Sequence, residues 1–198
     1  MKKSVIVWIV VAAVVAIIVI WLVGAYNGLV RSDEGVSKAW AQVENVYQRR
    51  ADLIPNLVNT VSGAANFERG TLREVVEARA AATSIKLDPS KLTPENIAAF
   101  QKAQDGLGSA LGRLLMITEN YPDIKSSKNF LELQAQIEGS ENRISVERGK
   151  FNEQVRDYNT RVRRFPSNII ARSYGFATRG YFEAKPGAEN APEVKFDY

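Results

Sequence analysis

The chain has 198 residues, with 26 Lys and Arg against 22 Asp and Glu, and neither Cys nor His. Half of the net charge of +4 comes from Lys2 and Lys3, and the remainder is too slight and too interspersed for a nucleic-acid footprint, which needs a clustered basic face. Without Cys or His there is no disulfide, no thiolate or imidazole metal ligand and no Ser–His or Cys–His nucleophile.

The first element is a run of nineteen uncharged, almost wholly apolar residues from Val5 to Val23. At about 1.5 Å per residue a helix of that length spans roughly 30 Å, the thickness of a bilayer's hydrocarbon core. A cleaved signal peptide is the alternative, but its apolar region is usually about 7–15 residues long. The expectation is a retained transmembrane anchor within 1–25, with Trp8 and Trp21 near the two interfaces. Lys2 and Lys3 precede the run. By the positive-inside tendency the N-terminus is cytoplasmic, and the rest lies on the outer, periplasmic side of the inner membrane.

From Leu29 to Val61 the apolar residues follow a heptad. Leu29, Val36 and Val43 form one row, Ala39, Val46 and Leu53 a companion row, and Leu57 and Val61 continue the stripe. Only Gly24, Gly28 and Gly35 separate this helix from the anchor, so the two can be continuous. Pro55 removes a backbone donor and predicts a kink, or a restart near Asp52. Residues 63–70 read as a turn. Thr71 and Glu74 then have capping-box spacing, which predicts a helix from Thr71 to about Ser84.

Residues 86–91 read as a loop, and Thr93-Pro94-Glu95 as a helix start with Pro at the first helical position. This helix carries the seam Ile97, Phe100, Leu107, Leu111 and Leu114, and stops at Pro122. Ser126 or Ser127 is placed to cap the next. There Phe130, Ile137, Ile144, Phe151, Tyr158 and Phe165 recur every seven residues up to Pro166, a coiled-coil-like seam. Beyond Gly175 the chain is an irregular tail with aromatic anchors. The fold class expected is all-α: an N-terminal transmembrane helix, an antiparallel four-helix bundle over 26–171, and an irregular tail over 172–198.

Little here is built for catalysis. Glu44, Glu119, Glu138 and Glu141 are carboxylates on helices, but the Glu-x-x-His pairs of di-metal bundles cannot be completed. Asp52 and Glu119 are the nearest acid–base candidates, and neither lies in a glycine-flanked loop. No enzyme activity and no cofactor are expected. Arg50 stands out because it occupies the row of Val36, Val43 and Leu57. A charge on a seam needs a partner, and Glu119 and Glu141 are the candidates. Such a layer fixes register, or it forms part of a pocket for an anionic ligand. Phe176, Tyr181, Phe182, Phe196 and Tyr198 of the tail lie on the bundle surface or dock on a neighbouring subunit.

Several strings together carry a resemblance. They are Tyr26-Asn27-Gly28-Leu29-Val30, Ala39-Trp40-Ala41-Gln42-Val43-Glu44, and the block from Arg49 to Val58. Glu119-Asn120-Tyr121-Pro122-Asp123-Ile124-Lys125, Glu141-Asn142-Arg143-Ile144 and Phe165-Pro166-Ser167-Asn168-Ile169-Ile170-Ala171 complete them. The sequence resembles the bacterial LemA family and, more distantly, MamQ-like proteins. The resemblance implies an N-terminally anchored helical bundle and supplies no catalytic residue. It suggests a part in organising membranes, as a scaffold or adaptor that associates with itself or with other envelope proteins.

Overall fold

A computed structural model describes residues 3–63 and 68–184. Phe196 and Tyr198 lie outside the described residues, as do residues 64–67 of the expected turn at 63–70. The fold is all-helical: α1 (Lys3–Ser62), α2 (Arg69–Ser84), α3 (Pro94–Thr118), α4 (Pro122–Lys125), α5 (Lys128–Arg163) and α6 (Ser167–Ser173). A short 3-10 turn, Pro89–Lys91, precedes α3.

Helix α1 is one unbroken rod of 60 residues, about 90 Å long. The apolar run and the first bundle helix are therefore continuous. Among the described residues α1 alone is long and apolar enough to cross a membrane. The Leu29, Val36 and Val43 row is buried as expected, but the companion row lies one position further along. From Val36 the buried stripe runs Val36, Trp40, Val43, Tyr47, Arg50, Ile54, Leu57 and Val61, at alternating spacings of four and three, with Leu29 and Ala51 also buried. Ala39, Val46 and Leu53 are only partly buried, at the flank.

Pro55 does not interrupt α1. Proline cannot donate to the carbonyl four residues back, which would leave the Ala51 oxygen unpaired in a buried place. The Arg79 Nε of α2 donates to that oxygen at 2.7 Å. A side chain from the neighbouring helix thus replaces the missing backbone bond.

Helices α1 and α5 lie antiparallel. Gly28 faces Arg161, Gly35 faces Gln154, and Arg50 pairs with Glu141, so numbers rise along one helix as they fall along the other. Helices α2 and α3 are antiparallel by the same reasoning, through Glu74 with Arg113 and Ala82 with Gln104. Helix α2 begins two residues earlier than its capping box suggested. Glu68 occupies the N-cap position, and the Thr71 hydroxyl donates to its carboxylate from within the first turn. The start of α3 matches the sequence, with the Thr93 hydroxyl accepting from the Asn96 N–H at 3.3 Å.

Ser127 sits at the N-cap of α5 without a side-chain cap bond. The long row of α5 is buried from Phe130 to Tyr158, but Phe165 is 75% exposed. The helix ends at Arg163, because a residue preceding proline is disfavoured in helical geometry. The chain turns there into α6, an element the sequence pattern did not reveal. The segment after α6 runs back along the bundle between α3 and α5. It is extended, and it is part of the core rather than an appendage: Phe182 is buried among Trp40, Phe100 and Phe151.

Candidate functional site

Two polar constructions interrupt the apolar interior. The first is a layer at Arg50, which lies between two separate apolar clusters. The guanidinium is 3% exposed. Its Nη1 donates to a Glu141 carboxylate oxygen, and its Nη2 donates to the Gln104 side-chain oxygen at 2.8 Å and the Gln104 carbonyl at 3.2 Å. Gln104 in turn donates through Nε2 to the Ala82 carbonyl at 3.1 Å. The Tyr47 ring lies beneath the cation, 5.2 Å from centroid to Cζ. Burial pushes the Tyr47 phenol above its ordinary range, against the opposing pull of Arg148 and Arg50.

One arginine therefore ties α1, α2, α3 and α5 together at a single level. Removing such a group's partner strands a charge away from water, so the layer holds the helices in register. Gln104 was missed by the sequence reading. The α3 seam steps from Phe100 to Leu107, and Gln104 fills the vacant position between them; a polar residue in that gap was the available clue. Glu119 does not join the layer. It lies at the far end of α3, paired with Lys125.

The remaining carboxylates are dispersed. Glu138 accepts from Gln134 and Asp52 from Gln48. Glu44 is half-buried, and desolvation raises its pKa, with the Trp40 indole opposing that rise. Among the described residues no three acids gather in a manner suited to a metal ion.

The second construction holds the extended strap, residues 176–184. Three side-chain amides grip its backbone as a neighbouring strand would. Asn159 accepts from the Arg179 N–H at 2.8 Å and donates to the Arg179 carbonyl at 2.9 Å. Asn152 does the same for Phe182, at 2.9 and 2.8 Å. Gln101 does it for Glu183, at 3.0 Å both ways. The Gly180 N–H donates to the Leu92 carbonyl at 2.8 Å, and a Cβ at Gly180 would fall 2.6 Å from the Pro94 Cα, so only glycine fits that crossing. Arg179 pairs with Asp33 at 2.7 Å and lies over the Tyr158 ring. The Tyr158 hydroxyl donates to the Ala177 carbonyl; burial, then the Asp33 charge, push its pKa up to about 12.

The tail aromatics are accordingly divided. Phe182 is enclosed by this chain's own rings, Phe176 packs against Tyr26, and Tyr181 stays 41% exposed while its hydroxyl accepts from Asn159. A groove of about 500 Å³ opens beside the Arg50 layer, lined by Glu141, Arg148 and Phe182 among others.

These features coincide with a family pattern. The model of the LemA family matches residues 39–196, which includes both the Arg50 layer and the strap. The chain belongs to the LemA family. Among its relatives, magnetosome protein MamQ of Magnetospirillum gryphiswaldense is 28% identical over 181 residues, covering 83% of this chain and 66% of MamQ. Protein LemA of Metamycoplasma hominis is 26% identical over 162 residues, covering 82% of this chain and 70% of that protein. This LemA family member thus spans just under two thirds of MamQ's length. The names of these relatives are not those of enzymes.

Proposed function

We propose that this protein is a membrane-anchored, non-enzymatic scaffold of the bacterial envelope that associates with itself, holding the bundle outside the cytoplasm and helping to organise the membrane. The observation that carries the reading is the unbroken α1. An apolar segment long enough to span a bilayer continues without a joint into the central helix of the bundle, so the domain is presented at a fixed attitude. A flexible linker would suit a tethered catalyst sampling soluble substrate. A rigid post suits a spacer or assembly platform. Confinement of the copies to two dimensions raises their effective concentration and favours weak lateral contacts. The relatives named for magnetosomes agree with a role at a membrane.

Mass measurement of the full-length protein in mild detergent tests the proposal. Oligomers, or a retained envelope partner, are expected. A strict monomer that retains nothing overturns it. Accessibility of an introduced cysteine to an impermeant reagent in intact cells tests the orientation; labelling at Val146→Cys is expected, and protection there reverses the sidedness.

The groove beside Arg50 supports a second reading, a small-molecule or peptide-binding module. Its weakness is electrostatic. The terminal nitrogens of Arg50 already donate to Glu141 and Gln104, so they offer an incoming anion little.

A further inference from the structure

We propose that the anchor-facing end of the bundle binds anionic phospholipid, with Arg161 and Arg164 on the headgroup phosphate; the inference rests on the anchor reading above. A groove of about 590 Å³ lies there between α1 and the turn from α5 to α6. Its α1 wall includes Trp21, Gly24 and Gly28, and its far wall Arg161, Arg164 and Phe165. Trp21 and Gly24 lie where the apolar run ends. The groove therefore straddles the level at which hydrocarbon gives way to headgroups, and where aromatic rings prefer to sit.

Charge is concentrated at this end. The stretch 158–182 holds five arginines and no acid, whereas the chain outside that stretch and the two N-terminal lysines has three more acids than bases. Of those five, Arg179 is consumed by Asp33. Arg161 and Arg164 make no side-chain hydrogen bond or ion pair among the described residues, unlike Arg50, Arg113 and Arg179. The one acid on the groove wall, Asp157, lies against Arg156. Two free planar guanidinium groups match the oxygens of a phosphodiester bidentately, which a point charge does less well.

The apolar side is equally prepared. Phe165, Ile169 and Tyr174 are 75%, 58% and 68% exposed, and all lie in the turn and helix beside the end of the anchor. A Cβ at Gly24 would meet nothing within 4 Å, so an acyl chain has open space along α1. The Arg161 guanidinium lies against α1 at Gly28, its Nη1 3.4 Å from where a Cβ would stand. The Ser167 hydroxyl donates to the Arg161 and Arg164 carbonyls, holding the turn in place with both side chains at the groove.

The test uses the full-length chain reconstituted in phosphatidylcholine vesicles carrying a minor fraction of phosphatidylglycerol. The protein is extracted with its surrounding lipid, and the retained lipid is quantified by mass spectrometry. Several-fold enrichment of phosphatidylglycerol is expected for the wild type. The enrichment is lost in the Arg161→Gln/Arg164→Gln variant, whose exposed positions leave the melting transition unchanged. It survives Arg49→Gln/Arg143→Gln, which removes equal charge elsewhere. Absence of enrichment, or equal loss in both variants, overturns the site while leaving the anchor standing. A chain left in the supernatant with every vesicle overturns the anchor and the site together.

Discussion

The two halves of the bundle are built from different materials. On the anchor side of Arg50 the core is rich in rings, with Trp40, Tyr47, Phe100, Phe151, Tyr158 and Phe182 set among aliphatic side chains such as Leu29, Val36, Ile97 and Val155. On the far side it is aliphatic, with Ile54, Leu57, Val75, Leu107, Leu111, Leu114 and Ile137, and Phe130 as the buried ring. Among the described residues, the buried side chains of the aliphatic half all come from helices. The aromatic half includes the strap, which lies between α3 and α5 and contributes Phe182 to the ring cluster. There Phe182 of the strap completes the ring cluster formed by Trp40, Phe100 and Phe151. The Arg50 layer lies where one cluster gives way to the other.

The strongest challenge to this division is Ile144→Asp. Ile144 is 4% exposed in the aromatic half, and an unpaired charge there should cost more than about 4 kcal/mol. Circular dichroism should show loss of the cooperative melt, and a normal melt would contradict the seam. Phe182→Ala should cost about 3–4 kcal/mol by opening a cavity. Hydrogen exchange should rise across the strap and the start of α3, with α2 protected. Equal loss of protection in α2 would mean that the halves melt as one.

At the boundary, Glu141→Leu should cost about 2 kcal/mol, below the 3–5 kcal/mol of a fully buried pair because Glu141 is 47% exposed. Arg50→Met should cost about 1–2 kcal/mol, since relief of the cation's desolvation offsets part of the penalty for leaving the buried Gln104 oxygens without their donor. Denaturant melts that rank these two the other way would assign the layer a larger net role than register. The smallest effect is at Glu44, whose carboxyl is raised from 4.5 by burial. The folded state there holds its proton more tightly than the unfolded one, so the associated stability is present at low pH and declines as pH rises through the folded value. Glu44→Gln should remove that decline and gain about 0.5 kcal/mol or less at neutral pH, read from melts on either side of the transition.

Much of this was legible beforehand because seams are periodic. Val36, Val43, Ile97, Leu114 and the row from Phe130 to Tyr158 stand out by spacing, and Arg50 by breaking it. What periodicity cannot convey is a partner from another element. Pro55 read as a kink or a restart because the donor that rescues the Ala51 oxygen, Arg79, sits 28 residues from Ala51 on a different helix. Glu119 and Glu141 looked equivalent, and the relative levels of α1, α3 and α5 separate them. The strap has no period at all. Its trace in the sequence is on α5 instead, where Asn152 and Asn159 stand seven apart, each following a core aromatic. Their regular placement beside the seam was the sign of an extended segment to be gripped.

A one-piece α1 also makes the molecule a lever. From Gly24 to Ser62 the rod is about 57 Å long at 1.5 Å per residue. An inclination of about 20°, ordinary for a spanning helix adjusting to bilayer thickness, would displace its distal tip sideways by about 20 Å. Changes in lipid thickness too small to alter any single contact would thereby be magnified into large movements far above the surface.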